Sequence, residues 1–121
     1  MRRVSKKEKK IMENEMDYES KIMELIINGG DARGKALAAI DAALEGDIAK
    51  AEETMKECTE ALNAAHVQQT DLIQAELNGK GVGVTLLMVH AQDHLMDAMT
   101  VKDLAEKFIA LSKKTAAGKQ S

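Results

Sequence analysis

The sequence predicts an all-α protein, an antiparallel up-down-up bundle of three helices. Two observations carry this. The 121 residues contain no Pro, no Trp, one Tyr and one Phe, so the residues that favour sheets are scarce. The helix formers Ala, Leu, Met, Glu and Lys dominate instead, with apolar residues at helical spacing in three stretches divided by glycine-containing turns. With so few aromatics, the core must be built from Leu, Ile, Met and Ala.

The first stretch is expected to run from about Met16 to Leu44. Asn28-Gly29-Gly30-Asp31 interrupts it; paired glycines weaken a helix and Asp31 can cap a restart, so a kink or short break is expected there. Glu45-Gly46-Asp47 is the stop, with Gly46 as C-terminal cap. Asp47 then caps a second helix reaching about Leu77, with Ile48, Ala51, Met55, Cys58, Leu62, Ala65, Gln69, Leu72 and Ile73 near helical spacing. Asn78-Gly79-Lys80-Gly81-Val82-Gly83 ends it. This segment reads as a turn; the Walker pattern and preceding strand of a phosphate-binding loop are missing. The third helix is expected from about Val84 to Lys113. Short turns make consecutive helices antiparallel neighbours. Residues 1–15 are read as a basic, disordered tail, 16–113 as the helical domain and 114–121 as a flexible tail.

The third helix carries two apolar stripes. Leu87, Ala91, Leu95, Ala98, Ala105 and Ile109 form one; Leu86, Val101, Leu104, Phe108 and Leu111 form the other. One stripe suffices for a three-helix monomer, so the second is expected to pack against copies of the chain.

Composition narrows the function classes. Cys58 is the single cysteine, which excludes an internal disulfide and suits a reducing cytoplasm. No stretch is apolar enough to span a bilayer, and the basic N-terminus lacks the apolar region of a signal peptide. Residues 2–10 hold six basic side chains against Glu8, net +5; the chain's overall −3 leaves −8 on the rest. Such a tail could touch nucleic acid or anionic lipid. A solvated tail is the preferred reading, and no nucleic-acid partner is expected because the body is acidic and lacks stacking aromatics.

The chemistry concentrates in His90-Ala91-Gln92-Asp93-His94-Leu95-Met96-Asp97. His90, Asp93, His94 and Asp97 share one helical face with the second apolar stripe, so they are expected at a subunit interface. If a symmetry axis passes Asp93, several carboxylates converge and a hard cation such as Mg²⁺ resolves their repulsion; otherwise Asp93 is a surface side chain. His90 has three readings: a phosphoryl-accepting nucleophile, a zinc ligand with His94 in a hydrolase, or a structural histidine. Spacing alone favours the structural one. His66 is read as a core or boundary histidine without a role, and Cys58 as a small buried hydrophobe.

Gly30-Asp31-Ala32-Arg33, Glu45-Gly46-Asp47, Leu62-Asn63-Ala64-Ala65-His66 with Gln69-Thr70 and Leu72-Ile73, and above all Val89-His90-Ala91-Gln92-Asp93-His94-Leu95-Met96 resemble the lactose/cellobiose enzyme IIA family of the bacterial phosphotransferase system, over about Ile22 to Leu111. The resemblance implies a cytoplasmic homotrimer of three-helix subunits. Its active histidine would accept a phosphoryl group from the phosphocarrier HPr and pass it to a cysteine of the IIB component, serving the membrane IIC component indirectly through IIB. By position His90 matches the phosphorylated histidine and Asp93 the aspartate that binds a metal, one Mg²⁺ per trimer, on the threefold axis. Gln92 and His94 are candidate supports, Gln92 for a neighbouring subunit's site; Met88 and Met96 are candidate docking contacts. Cys58 matches no phosphorylated position. The sugar stays open among lactose, cellobiose, chitobiose and other β-glucosides. A trimeric helical interaction module without catalysis is the alternative.

Overall fold

The computed structural model describes residues 3–81 and 83–119. They form three helices, α1 (Lys6–Leu44), α2 (Ile48–Leu77) and α3 (Leu86–Lys119), with no strand among the described residues. α1 is the central element: α2 and α3 each pack on it far more than on one another.

The seam is small. Ala32, Ala36 and Ala39 of α1, Ala51, Cys58 and Ala65 of α2, and Ala91, Ala98 and Ala105 of α3 are fully buried. Short side chains on facing helices let their axes approach closely. Ile22, Leu25 and Leu95 supply the bulk at one end, near the start of α3. No polar or charged residue is buried among those described, so burial of apolar side chains carries the fold.

Three of the expected ends are found in place. Gly46 adopts φ +87° and lets Asp47 N–H reach back to the Ala42 carbonyl at 2.9 Å, closing α1. The Asp47 carboxylate then accepts from Lys50 N–H at 3.1 Å and opens α2. Gly79, at φ +73°, closes α2 in the same manner, with Lys80 N–H on the Ala75 carbonyl at 2.8 Å.

Other expectations are corrected. α1 runs unbroken through Asn28–Asp31, and Asp31 sits inside the helix, exposed, rather than capping a restart. Gly29 explains the continuity. It is buried, and a Cβ there would stand 3.4 Å from the backbone of His94 and Leu95. The glycine is a contact between α1 and α3, and packing outweighs the helix-weakening effect of about 1 kcal/mol. α1 also starts at Lys6, where the Ser5 hydroxyl caps it by accepting from Glu8 N–H at 3.1 Å, so 6–15 is helix and not a disordered tail. α3 continues past Lys113 to Lys119, so residues 114–119 are helical and not a loose tail. Gln120 and Ser121, the end of that expected tail, lie outside the described residues, as do Met1 and Arg2.

Candidate functional site

The site is built on the first turns of α3. The Thr85 hydroxyl caps that helix, accepting from Met88 N–H at 3.1 Å, while Val89 N–H bonds the Thr85 carbonyl at 3.1 Å. Ala91 and Leu95, both fully buried, fix the rotation of α3. That rotation leaves His90, Asp93 and Asp97 exposed and His94 half-buried. Gly29 lets α1 close onto the backbone of His94 itself, so the second imidazole stands where α1 and α3 approach closely.

His90 and His94, one turn apart, meet directly. Their Nε2 atoms are 3.1 Å apart, and the rings lie edge to face at 86° with centroids 4.5 Å apart. Two facing ring nitrogens make a hydrogen bond when one carries a proton and the other presents its lone pair. With the proton on His94, the His90 Nε2 accepts the hydrogen bond through its lone pair, carries no hydrogen of its own, and the ring proton of His90 is on Nδ1.

Gln92 faces the other way. Its Oε1 accepts from Gln69 Nε2 of α2 at 2.7 Å, and its amide nitrogen lies 3.6 Å from the Met88 sulfur. Within one chain Gln92 therefore ties α3 to α2 and stands apart from the histidine pair. Two openings adjoin this part of α3. A shallow one is lined by Leu86, Leu87, Val89, His90 and Asp93. The other, of about 360 Å³, lies between α1, α2 and α3, with Tyr18, Leu72, Glu76, Lys80, Met88 and Gln92 in its wall. Burial, and then the nearby Glu76 carboxylate, push the Tyr18 hydroxyl above its ordinary pKa.

Some expected features are placed differently. His66 is exposed on α2, in a shallow hollow with Asn63, Val67, Thr70 and Asp71, and is not a core or boundary residue. Cys58 is fully buried, its thiol 3.1 Å from the Ala32 carbonyl, as a small hydrophobe should be. No group of three or more His, Cys, Asp or Glu able to hold a metal is assembled among the described residues. The zinc-hydrolase reading thus lacks its ligand set. Asp93 offers a lone carboxylate, which does not by itself fit a Mg²⁺ ion that asks for near-octahedral oxygen coordination.

Sequence reasoning missed three contributors. Thr85 is a capping residue just after the glycine turn, and its signal was there to read. Gln69, counted among apolar positions, was a hint in itself, because a polar residue on a buried stripe needs a partner. Gly29 carried no local signal.

The molecule is a small helical bundle that presents an imidazole pair at its surface, with no enclosed substrate chamber behind it among the described residues. Residues 20–113 match the family described as the phosphotransferase system, lactose/cellobiose specific IIA subunit, and the chain belongs to that family. It is 48% identical, over 98 residues, to the lichenan-specific phosphotransferase enzyme IIA component of Bacillus subtilis, covering 81% of this chain and 89% of that one. The crystal structure of the cellobiose-specific enzyme IIA from Bacillus anthracis superposes with a TM-score of 0.79 at 47% identity, covering 82% of this chain and 91% of that one. The Escherichia coli IIA(chitobiose) chain, solved in solution in complex with HPr, superposes with a TM-score of 0.71 at 42% identity, covering 81% and 95%.

Proposed function

We propose that this chain is a phosphocarrier that accepts a phosphoryl group from phospho-HPr on His90 and donates it to a cysteine of a IIB partner, in the uptake of a β-linked disaccharide. The observation that carries the reading is the exposed His90 Nε2 set 3.1 Å from the Nε2 of His94. The His90 Nε2 lone pair attacks phosphorus in line; the N–P bond forms as the bond to the donor breaks, and the donor keeps that electron pair. Transfer of this kind asks for positioning and charge stabilisation. The His94 Nε2–H, released from His90 as that lone pair bonds to phosphorus, can then donate to a phosphoryl oxygen.

Exposure of the imidazole suits docking of a folded partner, and a relative at 42% identity has been solved bound to HPr. The names of the similar proteins, lichenan, cellobiose and chitobiose, support β-linked sugars as the class. No helix of the described residues is long and apolar enough to cross a membrane, which suits a cytoplasmic carrier between HPr and a membrane transporter.

The working form in this reading is a homotrimer. On α3 Leu86, Leu104, Phe108 and Leu111 are exposed in the single chain, a stripe that copies of α3 would cover. Asp93 lies on the same helix, and three carboxylates at a threefold axis would supply the oxygen donors that one chain lacks, with Mg²⁺ to offset their repulsion. The Gln92 amide, if it serves a histidine, does so across that interface.

The test is phosphorylation of the whole protein by phosphoenolpyruvate, enzyme I and HPr. An acid-labile, base-stable phosphate on His90, absent from His90→Ala, is the expected result. Wild-type protein that takes no label from active partners rejects the reading and leaves a helical interaction module.

A further inference from the structure

The first turns of α1 lie outside the family match, which begins at residue 20. They are nevertheless helical from Lys6, and the buried positions of α1 begin only at Ile22. At 1.5 Å per residue, 6–15 is a rod of about 15 Å on the N-terminal side of the packed region. α1 and α3 are parallel in this topology, so the rod stands at the end of the bundle that carries the His90–His94 pair.

The rod is built differently from the rest of the chain. Arg3, Lys6, Lys7, Lys9 and Lys10 are exposed on a protein whose remainder is acidic. Exposed apolar side chains sit among them: Val4 at 52%, Ile11 at 48% and Met12 at 52%. Ile11 and Met12 occupy one side of the helix, which they share with Glu8 and, a turn on, Glu15; Lys7 stands at the edge of that side, and Lys6, Lys9 and Lys10 spread over the other. Acidic residues, Glu13, Glu15, Asp17 and Glu19, return immediately behind them.

We propose that residues 3–12 are a docking element for an anionic lipid surface. Lysine heads would meet lipid phosphates while Ile11, Met12 and Val4 enter the headgroup boundary, the division of labour of an interfacial helix. Charge complementarity selects an anionic surface, and the apolar side chains select lipid over nucleic acid, for which the rod offers no stacking aromatic. The element would hold the histidine end of the bundle near a bilayer, and it stands whether or not His90 carries phosphate.

Cosedimentation of the whole protein with vesicles tests it. Vesicles of phosphatidylcholine mixed with phosphatidylglycerol should carry the protein down at low salt, and pure phosphatidylcholine vesicles should not. A lysine near such a surface is worth roughly a fivefold gain in partitioning, so the Lys6→Gln, Lys7→Gln, Lys9→Gln, Lys10→Gln variant should lose more than about a hundredfold. Ile11→Ser with Met12→Ser should lose about tenfold at unchanged charge. Both variants should keep the wild-type melting temperature and accept phosphate in solution as before. No binding to anionic vesicles, equal binding by the lysine variant, indifference to the apolar pair, or tighter binding to a single-stranded RNA oligonucleotide would each overturn the proposal.

Discussion

At the scale of single residues, the two imidazoles and one thiol make separable predictions. Removing His90 should abolish phosphate acceptance outright. Removing its neighbour should not: His94→Phe leaves the nucleophile and takes away the proton that orients its lone pair, so transfer should slow by about 10²-fold with the label still on His90. Stopped-flow transfer from phospho-HPr measures this, and unchanged rates would deny His94 a part. Cys58 is the opposite case, a nucleophile by type and inert by place. Burial raises its pKa above the ordinary 9.0. The unfolded chain ionises first as pH rises, so the thiol's contribution to stability is full below about pH 9 and is lost as pH climbs towards the folded pKa. Chemical denaturation of wild type and Cys58→Ala should therefore converge above pH 9, and thiol reagents should label the native protein only as fast as it opens.

At the scale of elements, helix existence and order were legible because periodicity and turn glycines are local. Gly46 with Asp47 marked the α1–α2 junction from spacing alone. What was not legible is decided between helices. Asn28-Gly29-Gly30-Asp31 looks like a break, yet the two glycines do unlike things: Gly29 meets the α3 backbone, and a Cβ at Gly30 or Gly34 would meet nothing within 4 Å. Gly29→Leu should accordingly cost about 1–3 kcal/mol from overpacking and disturb the histidine pair standing on that backbone. Gly30→Ala and Gly34→Ala should each gain about 0.5–1 kcal/mol from helix propensity. Thermal melting separates the two classes, and a loss of stability at Gly34 would mean that another chain packs on that face of α1. The site had the same mixed legibility: the i, i+4 spacing put His90 and His94 on one face, but the turn of Gln92 towards Gln69 depends on where α2 lies.

At the scale of the whole molecule, the second stripe of α3 is the unresolved half of its design. The inner stripe is satisfied, with Ala91, Leu95, Ala98 and Ala105 fully buried, yet Leu104, Phe108 and Leu111 are 53%, 43% and 59% exposed one side over. An apolar band of that length is costly for a solitary small domain and ordinary for a subunit. Leu104→Ser with Phe108→Ser decides between the two. If copies of α3 bury the band, sedimentation should give monomers at concentrations where the wild type is trimeric, and the wild-type melting temperature should rise with protein concentration while the variant's does not. If the band faces water, both proteins sediment alike. Asp93→Leu then separates assembly from metal. Three leucines at an apolar axis need no cation, so this variant should stay trimeric, bind no Mg²⁺ and hold its melting temperature in chelator. Dissociation of Asp93→Leu into monomers would mean that the carboxylates and their ion hold the subunits together, and that the hydrophobic band alone does not.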